Sequence, residues 1–265
     1  MLPGVYIARK KDNTLYYRGN ITYRGKHIIL GSFETEAEAH CAYTDSSDLL
    51  SGEISLEDAF EQINSLSYDK IVTLINFRDN RMYIPSPVYL RKNYFSYYLD
   101  PHHELKFDID DLFYYSRHRI LKRQGHLYVN DYGMQVTVLS RYGIKSHAVC
   151  GRDYRFVNGD TADFRYSNIE VINPYFGVSR VAMGGQYRYR VRIHINGNYT
   201  IGTYRSEIHA AIAYNKACDL AKKAGISKDF PQNYIEDLSG REYADIYTAI
   251  KIAPKFMEYI KSLQA

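Results

Sequence analysis

Tyr187-Arg188-Tyr189-Arg190-Val191-Arg192-Ile193-His194-Ile195 alternates without a break between an apolar or aromatic side chain and a basic one. A period of two is the signature of a strand with unlike faces. Tyr187, Tyr189, Val191, Ile193 and Ile195 fall on one side. Arg188, Arg190, Arg192 and His194 fall on the other. Side chains two apart on a strand are separated by roughly 6.6–7 Å, so three guanidinium groups in that row repel one another unless an anion faces them. A merely solvated face would be balanced by carboxylates of neighbouring strands, but no Asp or Glu occurs between residues 171 and 206. The basic face therefore reads as one that meets a polyanion.

Outward from this strand the chain repeats itself. Residues 4–52 and 177–225 share a layout: Gly-Val, three alternating runs, then an alanine-rich stretch. Gly31 corresponds to Gly202, Phe33 to Tyr204, and Ala39, Ala42 and Tyr43 to Ala210, Ala213 and Tyr214. Each copy is expected to form three short antiparallel strands packed on one helix. Gly25-Lys26 and Asn196-Gly197 suit hairpin turns. Thr35 with Glu38 predicts a capping box, and Ser206 an N-cap. Ala210, Ala213, Ala217 and Ala221 make a small-residue stripe that lets a helix lie close to a sheet.

Charge is partitioned in the same way. Residues 1–33 hold six basic side chains against Asp12, and residues 173–205 hold five with no acid. Residues 34–70 hold ten acids against Lys70. The whole chain of 265 residues is only mildly basic, at +4, and its 28 Tyr with no Trp put aromatic mass and hydroxyls together. In the first copy Arg18, Asn20 and Thr22 share a face, joined by Lys26 and His27. Three scattered cysteines without a Cys-x-x-Cys pair support neither a disulfide framework nor a zinc ribbon. There is no apolar run near the ~18 residues of a membrane span and no signal-peptide pattern at the start. The expected setting is cytoplasmic, nucleoid-associated in a bacterium, with no membrane partner.

The repeat resembles the ethylene-response-factor (APETALA-type) DNA-binding domain. The resemblance rests on Gly177-Val178, the 187–195 strand, Ile201-Gly202-Thr203-Tyr204, Ala210 to Tyr214, and Phe230-Pro231. In the first copy it rests on Leu30-Gly31-Ser32-Phe33 and Glu38 to Tyr43. It implies a three-stranded sheet that enters the major groove of double-stranded DNA, an accepted alternative to a helix there. The readers it implies are Arg188, Arg190, Arg192, Asn198 and Thr200 in the second copy, and Arg18, Asn20, Thr22 and Lys26 in the first; His194 joins the candidate DNA-binding residues through its place on the basic face. Ser179 and Val181 stand where the family carries arginines on its first strand, so the family's usual target does not transfer.

Between the copies, Asn158-Gly159-Asp160, Asp163, Arg165 and Asn168-Ile169 are similar to the C-terminal part of the HNH homing-endonuclease pattern, with lead-ins at 107–120 and 125–129. That family needs one His before an Arg and a second before an apolar-Asn-Gly. Here Ser140-Arg141 and Phe156-Val157-Asn158-Gly159 stand instead, and Arg155 replaces an acid. A Phe cannot take a proton from water, and an Arg repels a metal. The resemblance thus implies a nuclease fold with its hydrolytic function lost: no catalytic residue, no metal, no cofactor. Asn158, Asp163, Arg165 and Asn168 then have structural work, as turn and cap.

The expected fold class is α+β, with two sheet-plus-helix modules flanking a degenerate ββα core. The modules span 1–53 and 175–235, the core 101–174, a connecting region 54–100 and a helical tail 236–265 broken at Pro254. In the connecting region, 55–67 reads as a helix and the apolar runs 68–77 and 82–99 as strand-like or mixed. Tyr94, Tyr97 and Tyr98 there are core residues or base-stacking rings. The expected function is sequence-specific reading of duplex DNA by a non-enzymatic regulator or mobile-element accessory protein. Two alternatives stand beside it. One is an active HNH-type endonuclease using magnesium and a substitute base, His118, His126 or His147. The other is a docking role in which the basic sheets meet an acidic protein. His102-His103 reads as a solvated pair or a metal site, and Cys150 as a buried or idle thiol.

Overall fold

A computed structural model describes residues 1–145 and 148–263. The fold is mixed α+β, with five small antiparallel sheets and seven α-helices among the described residues. Two compact units are present: Met1–Val138 with Asn158–Asn168, and Leu139–Val157 with Ile169–Ala265.

In the first unit β1 (Val5–Arg9), β2 (Leu15–Tyr23) and β3 (Lys26–Phe33) form an antiparallel sheet in chain order. Arg24 and Gly25, both at positive φ, make the β2–β3 turn, and Tyr23 pairs with Lys26. The expected Gly25-Lys26 turn is therefore displaced by one residue, because a two-residue hairpin loop needs positive φ at both of its positions. α1 (Glu36–Ser51) starts at the Thr35–Glu38 capping box. Ile21, Ile28 and Leu30 from the sheet join Ala42, Leu49 and Leu50 from α1 in one core.

α2 (Leu56–Gln62) and α3 (Tyr68–Asn80) complete that core. The run 68–77 is thus a helix, not a strand. Ile71 to Phe77 are all buried, and a helix buried on every side shows no amphipathic period to identify it. β4 (Val88–Leu90), β5 (Tyr94–Asp100) and β6 (His103–Asp108) form a second sheet. The expected boundary at 100/101 falls inside the β5–β6 hairpin, where pairing holds the two sides together. The one-turn α4 (Leu112–Tyr115) follows, then a meander of β7 (Ile120–Arg123), β8 (His126–Asp131) and β9 (Met134–Thr137). Phe95, Phe107, Tyr115 and Phe164 stack as a second, aromatic core, with Phe107 and Tyr115 centroids 4.4 Å apart. Tyr97 and Tyr98 are buried too, so they pack inside and do not present rings to bases.

In the second unit β10 (Tyr154–Phe156) pairs with β11 (Ile169–Val171). No helix follows this pair before β12 (Val178–Met183) among the described residues. This pair is thus not the start of a ββα unit, and the segment 101–174 is shared between the two units. β12, β13 (Gln186–His194) and β14 (Asn198–Tyr204) form the second three-stranded sheet, in chain order. α5 (Glu207–Lys223) starts at Ser206, whose side chain accepts from the His209 amide. Ala210, Ala213, Ala217 and Ala221 are fully buried, as their spacing predicts.

α6 (Gly240–Ala249) and α7 (Pro254–Ser262) form the tail, with Pro254 opening α7 where its missing N–H costs nothing. Phe256 and Ile260 enter the core of the second module, and the Ala253 amide donates to Ile201 O at 2.8 Å. Lys216 of α5 donates to Tyr247 O and Ile250 O, satisfying carbonyls at the end of α6.

The two sheet-and-helix modules are a repeat in atomic detail. Both third strands carry one extra residue, Leu30 in β3 and Ile201 in β14, opposite the same place on the middle strand. At that place the Asn20 amide donates to Gly4 O at 2.9 Å and the Arg192 amide to Gly177 O at 2.8 Å. Gly4 and Gly177 both hold positive φ, and a Cβ on either would lie 2.1 Å from a ring carbon of Tyr43 or Tyr214. Only glycine gives this close approach of backbone to helix.

Candidate nucleic-acid interface

Strand register decides which expected residues share a face. In the second sheet Ser179 lies opposite Arg190, Val181 opposite Arg188, Thr200 opposite Arg192, and Asn198 opposite His194. Directly paired residues point the same way. Arg188, Arg190, Arg192, His194, Asn198 and Thr200 therefore lie together on one surface. Val191 and Ile193, on the other side of the strand, are buried under α5. Arg190, Arg192, His194, Asn198 and Thr200 are exposed and Arg188 is half-buried. Among the described residues no carboxylate lies within ion-pair distance of Arg188, Arg190 or Arg192. His194 Nδ1 and Asn198 Oδ1 are 3.1 Å apart, which fixes the two side chains against each other beside the β13–β14 turn.

The first sheet presents a different surface. Arg18 faces solvent opposite Tyr6 and Ser32, yet its guanidinium donates to Tyr16 Oη at 2.7 Å and lies over that ring. Asn20 is half-buried, with its side-chain oxygen shielded and without a hydrogen-bond partner. Thr22 Oγ1 is 3.4 Å from His27 Nδ1, so His27 joins this face as expected. Lys26 does not. It pairs with Tyr23, on the side of the sheet where Tyr23 packs against Phe77, and its ammonium lies 5.0 Å from the Tyr83 ring centroid. Alternation past a two-residue turn puts the residue after the turn on the face of the residue before it. Exposed Tyr6 and Ile29 add apolar surface that the alternation alone does not assign to this face.

The residues similar to the HNH pattern form a closed network. Asp163 is 1 % exposed at its side chain and bound twice by Arg165, at 2.8 and 2.6 Å. The Asn158 amide nitrogen donates to Asp163, and the Asn168 side chain bridges the Asn158 N–H and Asp163 O. The Arg165 hydrogen bonds hold the Asp163 carboxyl below the ordinary carboxylate range despite its burial. These polar atoms are spent on one another, as a turn-stabilising role requires. His118 donates or accepts at both ring nitrogens, with Nδ1 2.9 Å from Tyr114 O and Nε2 3.5 Å from Asp131. Both nitrogens thus lie beside partners of the same chain. His126 is exposed at the start of β8. His147 lies outside the described residues. His103 pairs with Asp100 beside a turn. Cys150 is exposed, not buried, because the 148–153 loop turns it outward. Among the described residues no group of three His, Cys, Asp or Glu is placed to hold a metal ion, and no helix is long and apolar enough to cross a membrane.

Lys145 and Arg152 carry no signal in the sequence. They lie beside Arg192 around a cavity in the second unit. Nothing in their local pattern marks them, since they come from a loop and meet the sheet only in three dimensions. Comparison with protein-family models, curated proteins and solved structures finds no match.

Proposed function

We propose that the chain binds double-stranded DNA without cutting it, and that the second sheet is the principal contact. The observation that carries this is the row of Arg188, Arg190 and Arg192 on a solvent-facing strand with no neutralising acid among the described residues. Holding such a row bare is unfavourable, and a phosphate backbone relieves it by releasing counterions. A two- or three-stranded surface fits the major groove, where an arginine pairs bidentately with guanine for about 1–3 kcal/mol of discrimination. Thr200, Asn198 and His194 alongside supply further donors and acceptors. Hydrolysis has no support in the central segment, where Phe156 stands in place of a base and Asp163 is neutralised by Arg165. A transcriptional regulator or an accessory factor of a mobile element suits such a protein.

Selection from a random-sequence duplex pool tests the reading. A recurrent motif among retained duplexes is expected. Arg190→Glu with Arg192→Glu should cut retention by about a hundredfold or more. Each cation removed from the phosphate backbone should also flatten the salt dependence by about 0.9. Unchanged retention in a variant that melts like the parent would reject the face. Magnesium-dependent nicking of a supercoiled plasmid would reject the non-enzymatic part.

A further inference from the structure

In the second unit, the exposed face of the β12–β14 sheet borders an open cavity of about 270 Å3 with Lys145, Ala148, Arg152 and Asp153 on its other side. Lys145, Arg152 and Arg192 line it, with Asp153 as the one acid and Ser179 and Asn198 as neutral polar groups. Asp153 is already committed. It accepts from the Val149 amide at 2.8 Å, from Asn173 Nδ2 at 3.2 Å and from Arg152 Nη2 at 2.6 Å. Its charge is thereby set against Arg152, and two cations remain.

Of these, Lys145 is the informative one. Its ammonium lies 4.1 Å from the Phe176 ring centroid and has no hydrogen-bond acceptor among the described residues. Burial pushes it down to about 8, and the charges of Asp153 and Glu207 recover only part of that loss. An ammonium half removed from water without an acceptor is unfavourable unless an anion completes its shell. Arg192 borders the same space from the sheet and has no carboxylate within ion-pair distance among the described residues.

We propose that this cavity binds a phosphate group, with Lys145 and Arg192 as its cations and Ser179 and Asn198 as further donors. A tetrahedral oxyanion offers acceptors in several directions at once, matching donors that approach from a loop and from three strands. The site goes beyond the duplex reading, because Lys145 lies off the reading row and the phosphate carrier is either a duplex backbone or a small free phosphate.

The test uses the full chain and inorganic phosphate, followed by amide chemical shifts. Phosphate should move the amide signals of Ala148, Gly177 and Ser179 and leave those of the first sheet in place. Lys145→Met should weaken this binding about tenfold or more, the worth of a charged hydrogen bond, and Lys145→Arg should restore most of it. Absence of shifts at Gly177 and Ser179 in the parent would overturn the site. So would undiminished binding by a folded Lys145→Met. Should that variant fail to fold, the parent shifts and Lys145→Arg decide. A short duplex added to the phosphate complex identifies the carrier: displacement points to a backbone phosphate, simultaneous binding to a free one. Phosphate binding without any duplex binding would uphold the cavity and reject only the DNA reading.

Discussion

On the second sheet Arg190 and Arg192 stand in solvent with no acid in reach. On the first, the equivalent of Arg190 is Arg18, folded onto Tyr16, and the place of Arg192 is held by Asn20. Ile29 is exposed where the second module has Thr200. The scaffold beneath is nevertheless the same to the hydrogen bond, down to the extra residue in the third strand and the glycine under the helix tyrosine. The positions that fix the scaffold are therefore separable from those that face outward. The first face is more apolar and its one arginine is internally satisfied, whereas the second remains a bare cationic row. Their supports differ too: α2 and α3 complete the first core, while the tail completes the second.

The largest expected effect tests that last difference. Phe256 is 1 % exposed, and its removal leaves a cavity under the second module. Phe256→Ala should cost about 3–5 kcal/mol. Hydrogen exchange of α5 amides should accelerate, and that of α1 amides should not. Equal acceleration in both helices would show that the two cores are not separately supported.

The glycine pair comes next. Gly4 and Gly177 share positive φ and the same ring approach, but a Cβ on Gly177 also meets the Arg192 carbonyl at 2.6 Å. Tyr43 is half-buried and can yield, whereas Tyr214 is buried and a backbone oxygen cannot move alone. Gly177→Ala should cost about 2–4 kcal/mol and Gly4→Ala about 1–2 kcal/mol in urea unfolding. Equal losses would mean that the close approach is no tighter in the second module.

Lys145 separates the modules by pH, because the cavity belongs to the second alone. Its ammonium titrates near 8 when folded, against an ordinary value of 10.5. Between those values the unfolded chain binds more protons, so this group's contribution to stability rises with pH across 8 to 10.5 and is flat below 8. The stability of the parent relative to Lys145→Met should rise by about 1–3 kcal/mol over that interval, allowing for solvent at a half-buried group. A flat difference would remove the burial of Lys145 from the account.

Much of the scaffold is legible in the sequence because its signals are local. The alternation at 187–195, the Thr35–Glu38 capping box, the alanine stripe of α5 and Pro254 each act within one element. The cores are less legible. The run 68–77 looks like a strand because β-branched residues in a fully buried helix carry no period. The 101–174 segment reads by resemblance as one ββα domain. Its chain is instead divided between units by long-range pairings such as the Phe164 amide to Lys106 O, which no local pattern announces. The same limit hides Lys145 and Arg152, while the basic row on β13 is visible from alternation alone. Lys26 falls on the wrong face through a one-residue error in the turn, since a shift of one reverses every side chain in a strand.

The smallest expected effect is the sharpest comparison of the two faces. Arg18→Gln removes a charge that already lies over the Tyr16 ring and is bonded to its hydroxyl. Arg190→Gln removes one that has no internal partner among the described residues. If only the second face meets phosphate, the slope of log affinity against log salt should fall by about 0.9 for Arg190→Gln and stay within error for Arg18→Gln, measured by anisotropy on one duplex. Equal falls would mean that Arg18 leaves Tyr16 on binding. Both sheets would then engage the duplex, and linkage of two modules would account for the affinity. A fall for Arg18→Gln alone would reverse the ranking of the faces, because the bare row would then stand in solvent in the complex as well.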